Sequence, residues 1–326
     1  MKTQAFIENQ LAYYRGEGDK PADTLIEQWV REEGILSLRQ SMSFLADFKC
    51  LDFSGQPQLL QRFLYDHSSL PRFFNSKEIL RATDFYQKNQ QVIGLVLGLY
   101  ALPYCYLGAD GARVLYFSER IRNDTQKRLV ETGNFLKAVM QHDNWASHKI
   151  FAICTKVRLM HAAIRYFTLH SQQWDMGWGY PINQEDMLGT NLAFSLVVLR
   201  GMRKLGYTLD DTYERAYLHT WNVIGFLLGI EPDILPENRQ EALKFERMIA
   251  ARQFRPSFES QALTDALMRA VRNISPNSFT ADLLQAQSRF LLGEKYAEIL
   301  GIKETKIPDT LLKVYNTTAV LMNDLL

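Results

Sequence analysis

Cysteine is scarce in this sequence of 326 residues, which holds Cys50, Cys105 and Cys154 and no others. An odd number leaves one thiol over in any disulfide scheme, and none of the spacings is that of a metal knuckle. A disulfide-built scaffold is excluded, and a reducing cytoplasm is the expected location. A surplus of one charge is lacking too: 37 basic residues stand against 36 acidic ones, a formal net charge of +1. Without a basic stripe interleaved with aromatics, nucleic acid is not an expected partner. The start, Met1-Lys2-Thr3-Gln4-Ala5-Phe6-Ile7-Glu8, lacks the apolar core of a secretory signal. Long hydrophobic runs are missing as well. The longest uncharged stretch is Asn89 to Ala109, and Gly94, Gly98 and Pro103 interrupt its apolar part, Val92 to Leu107. That part falls short of the roughly 20 residues of a membrane span, so a buried core helix without stable membrane insertion is expected.

Familiar catalytic signatures are absent. There is no His-Glu-x-x-His, no Glu-x-x-His of di-iron bundles, no Gly-x-Ser-x-Gly elbow, no Walker loop and no dinucleotide glycine fingerprint. Alternating runs long enough for a sheet, internal repeats and low-complexity linkers are missing too. What is present is a globular composition, 47% apolar and 22% charged, enough for a substantial core.

Helical patterns fill the chain. Asp23-Thr24 predicts a cap for a helix to about Glu32, and Leu36 to Phe48 follows. Pro57 to Tyr65 reads as a short helix, Ser76 starts another that runs into the apolar stretch, and Leu107-Gly108-Ala109-Asp110-Gly111 reads as a turn. Ser118 to Asp143 and Ser147 to His170 are the next helices. After a loop at Gly177-Trp178-Gly179-Tyr180-Pro181, Asn183 caps a helix that reaches Leu205 and stops at Gly206. Asp210 or Asp211 opens one to about Gly229. Asn238 to Arg252, Ser257 to Ile274, Ala281 to Ile299 and Pro308 to Leu325 complete an all-α chain, expected to form one domain.

Lys156-Val157-Arg158-Leu159-Met160-His161-Ala162-Ala163-Ile164-Arg165 is the stretch with chemistry in it. Steps of three and four residues return to one helix face, so Arg158 and Arg165 flank His161. The helix is otherwise apolar nearly all round, which marks it as buried, and buried arginines need anionic partners. One imidazole between two cations suits a haem, which needs an axial ligand, apolar walls and cations for two propionates. The same residues suit a hydrogen-bonded core histidine with arginines paired to Asp or Glu of neighbouring helices, and spacing alone leaves both open.

Arg158-x-x-His161-x-x-x-Arg165, then Trp174-Asp175 and Tyr180-Pro181-Ile182-Asn183-Gln184-Glu185-Asp186-Met187-Leu188-Gly189-Thr190, resembles the rubber oxygenase family, which includes latex clearing proteins and the fungal oxygenase MpaB. Upstream, Arg128-x-x-x-Thr132-Gly133 is similar to the distal-side motif of that family. Trp221 to Gly229 and Leu292-Gly293 through Leu300-Gly301-Ile302 are similar too, so the likeness spans roughly Leu107 to Ile302. The resemblance implies a globin-like helical core with additional helices: residues 1–106 packing on a catalytic core of 107–302, with a C-terminal helix in 303–326. It implies haem b (iron protoporphyrin IX) with His161 as the iron ligand, Arg158 and Arg165 as cofactor-binding neighbours, and Arg128 and Thr132 on the distal side.

The implied activity is cleavage of a carbon–carbon double bond in an isoprenoid, with dioxygen as co-substrate and a hydrophobic small molecule as partner. A non-catalytic haem-binding protein that senses, stores or transfers haem or a gas is the alternative. Two departures stand out. Latex clearing proteins carry a lysine just before the distal threonine that can cap the iron, and here that residue is Glu131. A carboxylate at that place can move protons, and it equally fits a solvated helix position. Those relatives are also secreted, whereas no export signal is seen here, so polyisoprene outside the cell is not the expected substrate.

Overall fold

Short polar side chains mark where the helices begin, because their oxygens take up the free amides of a first turn. The computed structural model describes residues 2–117, 125–308 and 310–316. Among them there is no strand, and Gly108 with Phe254 forms an isolated bridge. Helix α1 (Gln4–Tyr14) is capped by Thr3 and buries Ile7 and Leu11, an apolar pattern too thin to be read from sequence. Helix α2 (Lys20–Ala46) starts at Asp19, which accepts from the Ala22 amide, and not at Asp23-Thr24 as expected. Pro21 in the first turn favours this earlier start. Gly34, at φ 84°, breaks α2 where the sequence shows two helices. The last turn of α2 is closed from outside: Lys156, fully buried, donates to the carbonyls of Phe44 and Asp47, each at 2.7 Å, and to that of Cys50.

Helix α3 (Gln58–Asp66) follows Pro57, and α4 (Ser76–Val96) is capped by Asn75. The apolar stretch continues α4 through a π turn at Leu97–Ala101 into α5 (Leu102–Tyr106). Pro103 has no N–H to offer the carbonyl of Leu99 four residues back. The buried Ser288 hydroxyl takes that place, donating to Leu99 at 2.7 Å. Ile93, Val96 and Tyr100 of this rod are buried, and no helix among the described residues is long and apolar enough to cross a membrane. The expected turn at 107–111 is instead a bend followed by α6 (Ala109–Phe117), whose N-terminus is favoured by Asp110.

Helix α7 (Thr125–Val139) belongs to the expected Ser118 to Asp143 element, of which 118–124 lie outside the described residues. The short α8 (His142–Ala146) leads to α9 (Lys149–Leu169), the helix of His161. Helix α10 (Gln184–Leu192) is capped by Asn183 as expected and passes through a second π turn, Ala193–Val197, into α11 (Val198–Lys204). Then come α12 (Asp211–Leu227), α13 (Arg239–Gln253), α14 (Phe258–Ile274) and α15 (Ser278–Leu292), each with an Asp, Asn or Ser cap. Gly293, at φ 81°, separates α15 from α16 (Glu294–Ile299), where one helix was expected. Residues 310–316 are helical, and the rest of the expected Pro308 to Leu325 helix, at 309 and 317–326, lies outside the described residues.

Helix α9 stands between two apolar clusters. Ile150, Ile153 and Cys154 join the larger one, with α4 and α10 to α12. Leu159, Met160, Ala162 and Ala163 join Trp29, Leu38, Leu60 and Phe63 of α2 and α3 in the other. Each fully buried Leu or Ile contributes about 1.5–3 kcal/mol. Replacing Ser288 by Ala would leave the Leu99 carbonyl unpaired inside this core. A loss of about 1–3 kcal/mol in urea unfolding is expected; a change within error would show that water already serves that carbonyl.

Candidate active site

A cavity of about 1020 Å³ opens beside α9, at the upper end of the roughly 300–1,000 Å³ of ligand pockets. One face of α9 lines it with Val157, Met160, His161, Ile164 and Thr168. One face of α7 lines it with Arg128, Glu131, Thr132 and Phe135, at the three- and four-residue steps that return to one side of a helix. Helix α10 adds Asp186, Met187, Thr190 and Asn191, and α13 adds Glu246, Ile249 and Gln253. The walls are mainly apolar.

Four of the residues singled out from sequence, His161, Arg128, Glu131 and Thr132, therefore share one cavity. The Nδ1 of His161 is buried and has no hydrogen-bond partner. Burial, reinforced by the charges of Arg165 and Arg128, lowers its pKa to about 3, so the imidazole is neutral with a lone pair to give. Arg128 and Glu131 lie 3.7 Å apart in an i,i+3 pair.

Arg158 and Arg165 stand apart from that cavity. The expectation of paired propionates meets a different arrangement, because α2 supplies carboxylates first. Arg158 forks onto Asp19, with Nη2 donating at 2.8 Å and Nε to the other oxygen. Arg165 donates from Nε to Asp23 at 2.6 Å and from Nη1 to the Ile182 carbonyl at 3.2 Å. Its Nη2 is left without a partner. Burial pushes the Asp23 carboxyl up to about 6 against the pull of Arg165. Gly229, at φ 88°, borders the first pair: a Cβ there would collide with Asp19 and sit 2.9 Å from Nε of Arg158.

The block from Tyr180 to Thr190 proves to be a clamp. Asn183 caps α10 through the Asp186 amide at 2.9 Å. Gln184, fully buried, donates to the carbonyls of Gly18 and Gly229, both at 2.8 Å, and accepts from the Glu231 amide at 2.9 Å. Glu185 receives Arg252 at 2.8 Å and Gln253 at 3.1 Å. Asp186 receives Arg15 at 2.6 Å, and Arg15 also donates to the Trp178 carbonyl at 2.6 Å. Sequence reasoning missed Asp19, Asp23 and Arg15, whose partners lie more than a hundred residues away. It also missed Tyr104 and Glu246 on the cavity wall, where Tyr104 donates to Glu246 and Arg200 pairs with Glu246 at 3.0 Å.

Residues 92–322 match the family described as ER-bound oxygenase mpaB/B′/rubber oxygenase, catalytic domain. That is most of the chain, and the chain belongs to this family of oxygenases. The rubber oxygenase of Streptomyces sp. (strain K30) is 23% identical over 300 residues, covering 90% of this chain and 69% of that protein. A latex clearing protein, solved in its closed state, shares the fold with a TM-score of 0.78 at 21% identity, covering 95% of this chain and 84% of the other.

Asp19→Asn keeps a capping oxygen on α2 but strands the charge of Arg158. Urea unfolding is expected to show a loss of about 3–5 kcal/mol, the usual cost of removing one member of a buried pair. The Asp19→Asn/Arg158→Leu double variant should recover part of it; strictly additive losses would mean that the two side chains are not coupled.

Proposed function

We propose that this chain is a haem b-dependent oxygenase that uses dioxygen to oxidise a hydrophobic small molecule, with cleavage of an isoprenoid double bond as the leading case. The observation that carries the proposal is His161, a neutral imidazole with an unpartnered buried nitrogen on the wall of a large, mainly apolar cavity. Among the described residues no three His, Cys, Asp or Glu side chains gather as a metal cluster. His161 would thus be a lone protein donor, which suits iron already held by a macrocycle better than a bare ion. When bound, the haem would supply dioxygen binding and activation.

The chain's own groups then have definite tasks. His161 would hold the iron from α9, with Val157, Met160 and Ile164 as apolar neighbours on the same wall. Arg128 would bring a fixed positive charge to the cavity and Thr132 a hydroxyl that donates or accepts, both suited to stabilising negative charge that develops there. Glu131 is paired with Arg128 and would offer a bound haem no amine. Arg158 and Arg165 both brace α9 against α2, through Asp19 and Asp23. The chain acts as one domain on this reading, because residues 1–106 supply the carboxylates that hold α9. The family names support alkene oxidation: one relative is a rubber oxygenase.

His161→Ala should abolish the haem Soret band of the purified protein, and an unchanged spectrum would remove His161 as the ligand. Ferric protein should give a mainly high-spin electron paramagnetic resonance signal; a dominant low-spin signal from two nitrogen ligands would contradict the role given to Glu131. Arg128→Ala and Thr132→Ala should each slow oxygen uptake with unsaturated terpenoids by about 10²–10³-fold while haem content stays near the parent's. If no substrate gives uptake above haem autoxidation, a non-catalytic haem-binding protein becomes the better reading.

A further inference from the structure

Two buried amide side chains on the cavity wall keep polar atoms that the fold does not pair. Asn191, 5% exposed, lies in the last turn of α10, and neither its Oδ1 nor its Nδ2 has a hydrogen-bond partner. It sits against Gly225, where a Cβ would come within 3.3 Å of its amide carbon. Gln253, 6% exposed, ends α13 and donates from Nε2 to Glu185 at 3.1 Å. That contact orients the amide and leaves Oε1 without a partner.

Unpaired buried amides cost free energy, and folded proteins keep few of them without a reason. Both residues face the cavity, so a ligand is the natural partner. Asn191 offers a donor and an acceptor at once, and Gln253 offers an acceptor alone. A hydroxyl satisfies either, since it both donates and accepts. A carboxylate brings no hydrogen for these oxygens, and Asp186, Glu131 and Glu246 line the same cavity together with Arg39 and Arg128. A pure hydrocarbon would leave the amides stranded, and sites built for a hydroxyl reject analogues that lack it.

We propose that the substrate is a neutral apolar molecule bearing a hydroxyl group, and that Asn191 is the specificity-determining residue that receives that hydroxyl. The proposal rests on the oxygenase reading above. Binding is measured on the purified protein, its haem content first read from the absorption spectrum. Farnesol, farnesene and farnesoic acid serve as probes, and quenching of tryptophan emission is the signal, since Trp221 lines the same cavity.

Farnesol should bind about tenfold or more tightly than farnesene, the worth of one good hydrogen bond. Farnesoic acid at neutral pH should bind no better than farnesene. Asn191→Leu and Asn191→Ala should bring farnesol down to the affinity of farnesene, and Asn191→Ser should restore part of the preference. Equal binding of farnesol and farnesene by the parent, an undiminished preference in both the Leu and Ala variants, or a preference for the acid would each overturn the proposal. A preparation without haem that still prefers farnesol through Asn191 supports the anchor while refuting the haem reading, which tells the two failures apart.

Discussion

Charge neutralisation inside an apolar helix pair is the constraint on which the rest depends. Helix α9 carries Lys156, Arg158 and Arg165 into the interior, and all three are answered by α2 and the segment just after it. Asp19 and Asp23 take the arginines, while the carbonyls at the C-terminal end of α2 take the lysine. The two halves of α2, on either side of Gly34, are thereby held to one helix. Buried ion pairs add little net stability once desolvation is counted, but losing one partner is costly. Their effect is selection: any other seating of α2 on α9 would leave a buried charge exposed to low dielectric.

That arrangement decides what the cavity sees of α9. With its three cations turned towards α2, the helix presents Val157, Met160, Ile164 and one imidazole to the open side. Of the other charges near the cavity, Arg128 pairs with Glu131, Arg200 with Glu246 and Arg15 with Asp186, while Arg39 lies over the Phe167 ring. Where charges are paired in this way, they offer little surplus field to a charged ligand. The unpartnered polar atoms on the wall include the amides of Asn191 and Gln253, which discriminate by hydrogen bonds.

Much of this was legible in the sequence where the cause was local. Helix starts at Asn183, Asp210, Asn238 and Ser257 and stops at Gly206 and Gly229 follow from capping chemistry within a few residues. The shared face of Arg128, Glu131 and Thr132 follows from helical spacing, and so does the need of Arg158 and Arg165 for anions. Which anions could not be read. Asp19 is 139 residues from Arg158, and Asp23 is 142 from Arg165. Nothing in the spacing of acidic residues in α2 distinguishes them from those of a solvated helix. Helix α1 was missed because its buried face amounts to Ile7 and Leu11, and α6 because Gly108 and Gly111 look like a turn when taken alone.

Glu131 shows how one side chain acts through its neighbour. An amine beside Arg128 would add a second positive charge to α7 at the cavity. A carboxylate there forms an i,i+3 pair, and both side chains are partly buried, at 31% and 23% exposure. The pair keeps the guanidinium in place on the cavity side while cancelling much of its field at longer range, since opposite charges a few ångströms apart act as a dipole. Short-range donation from Arg128 survives this cancellation, because a hydrogen bond depends on contact geometry. On the oxygenase reading, Arg128 and Thr132 would act on a bound molecule through directed hydrogen bonds. Long-range attraction would contribute little, in keeping with the uncharged substrate proposed above.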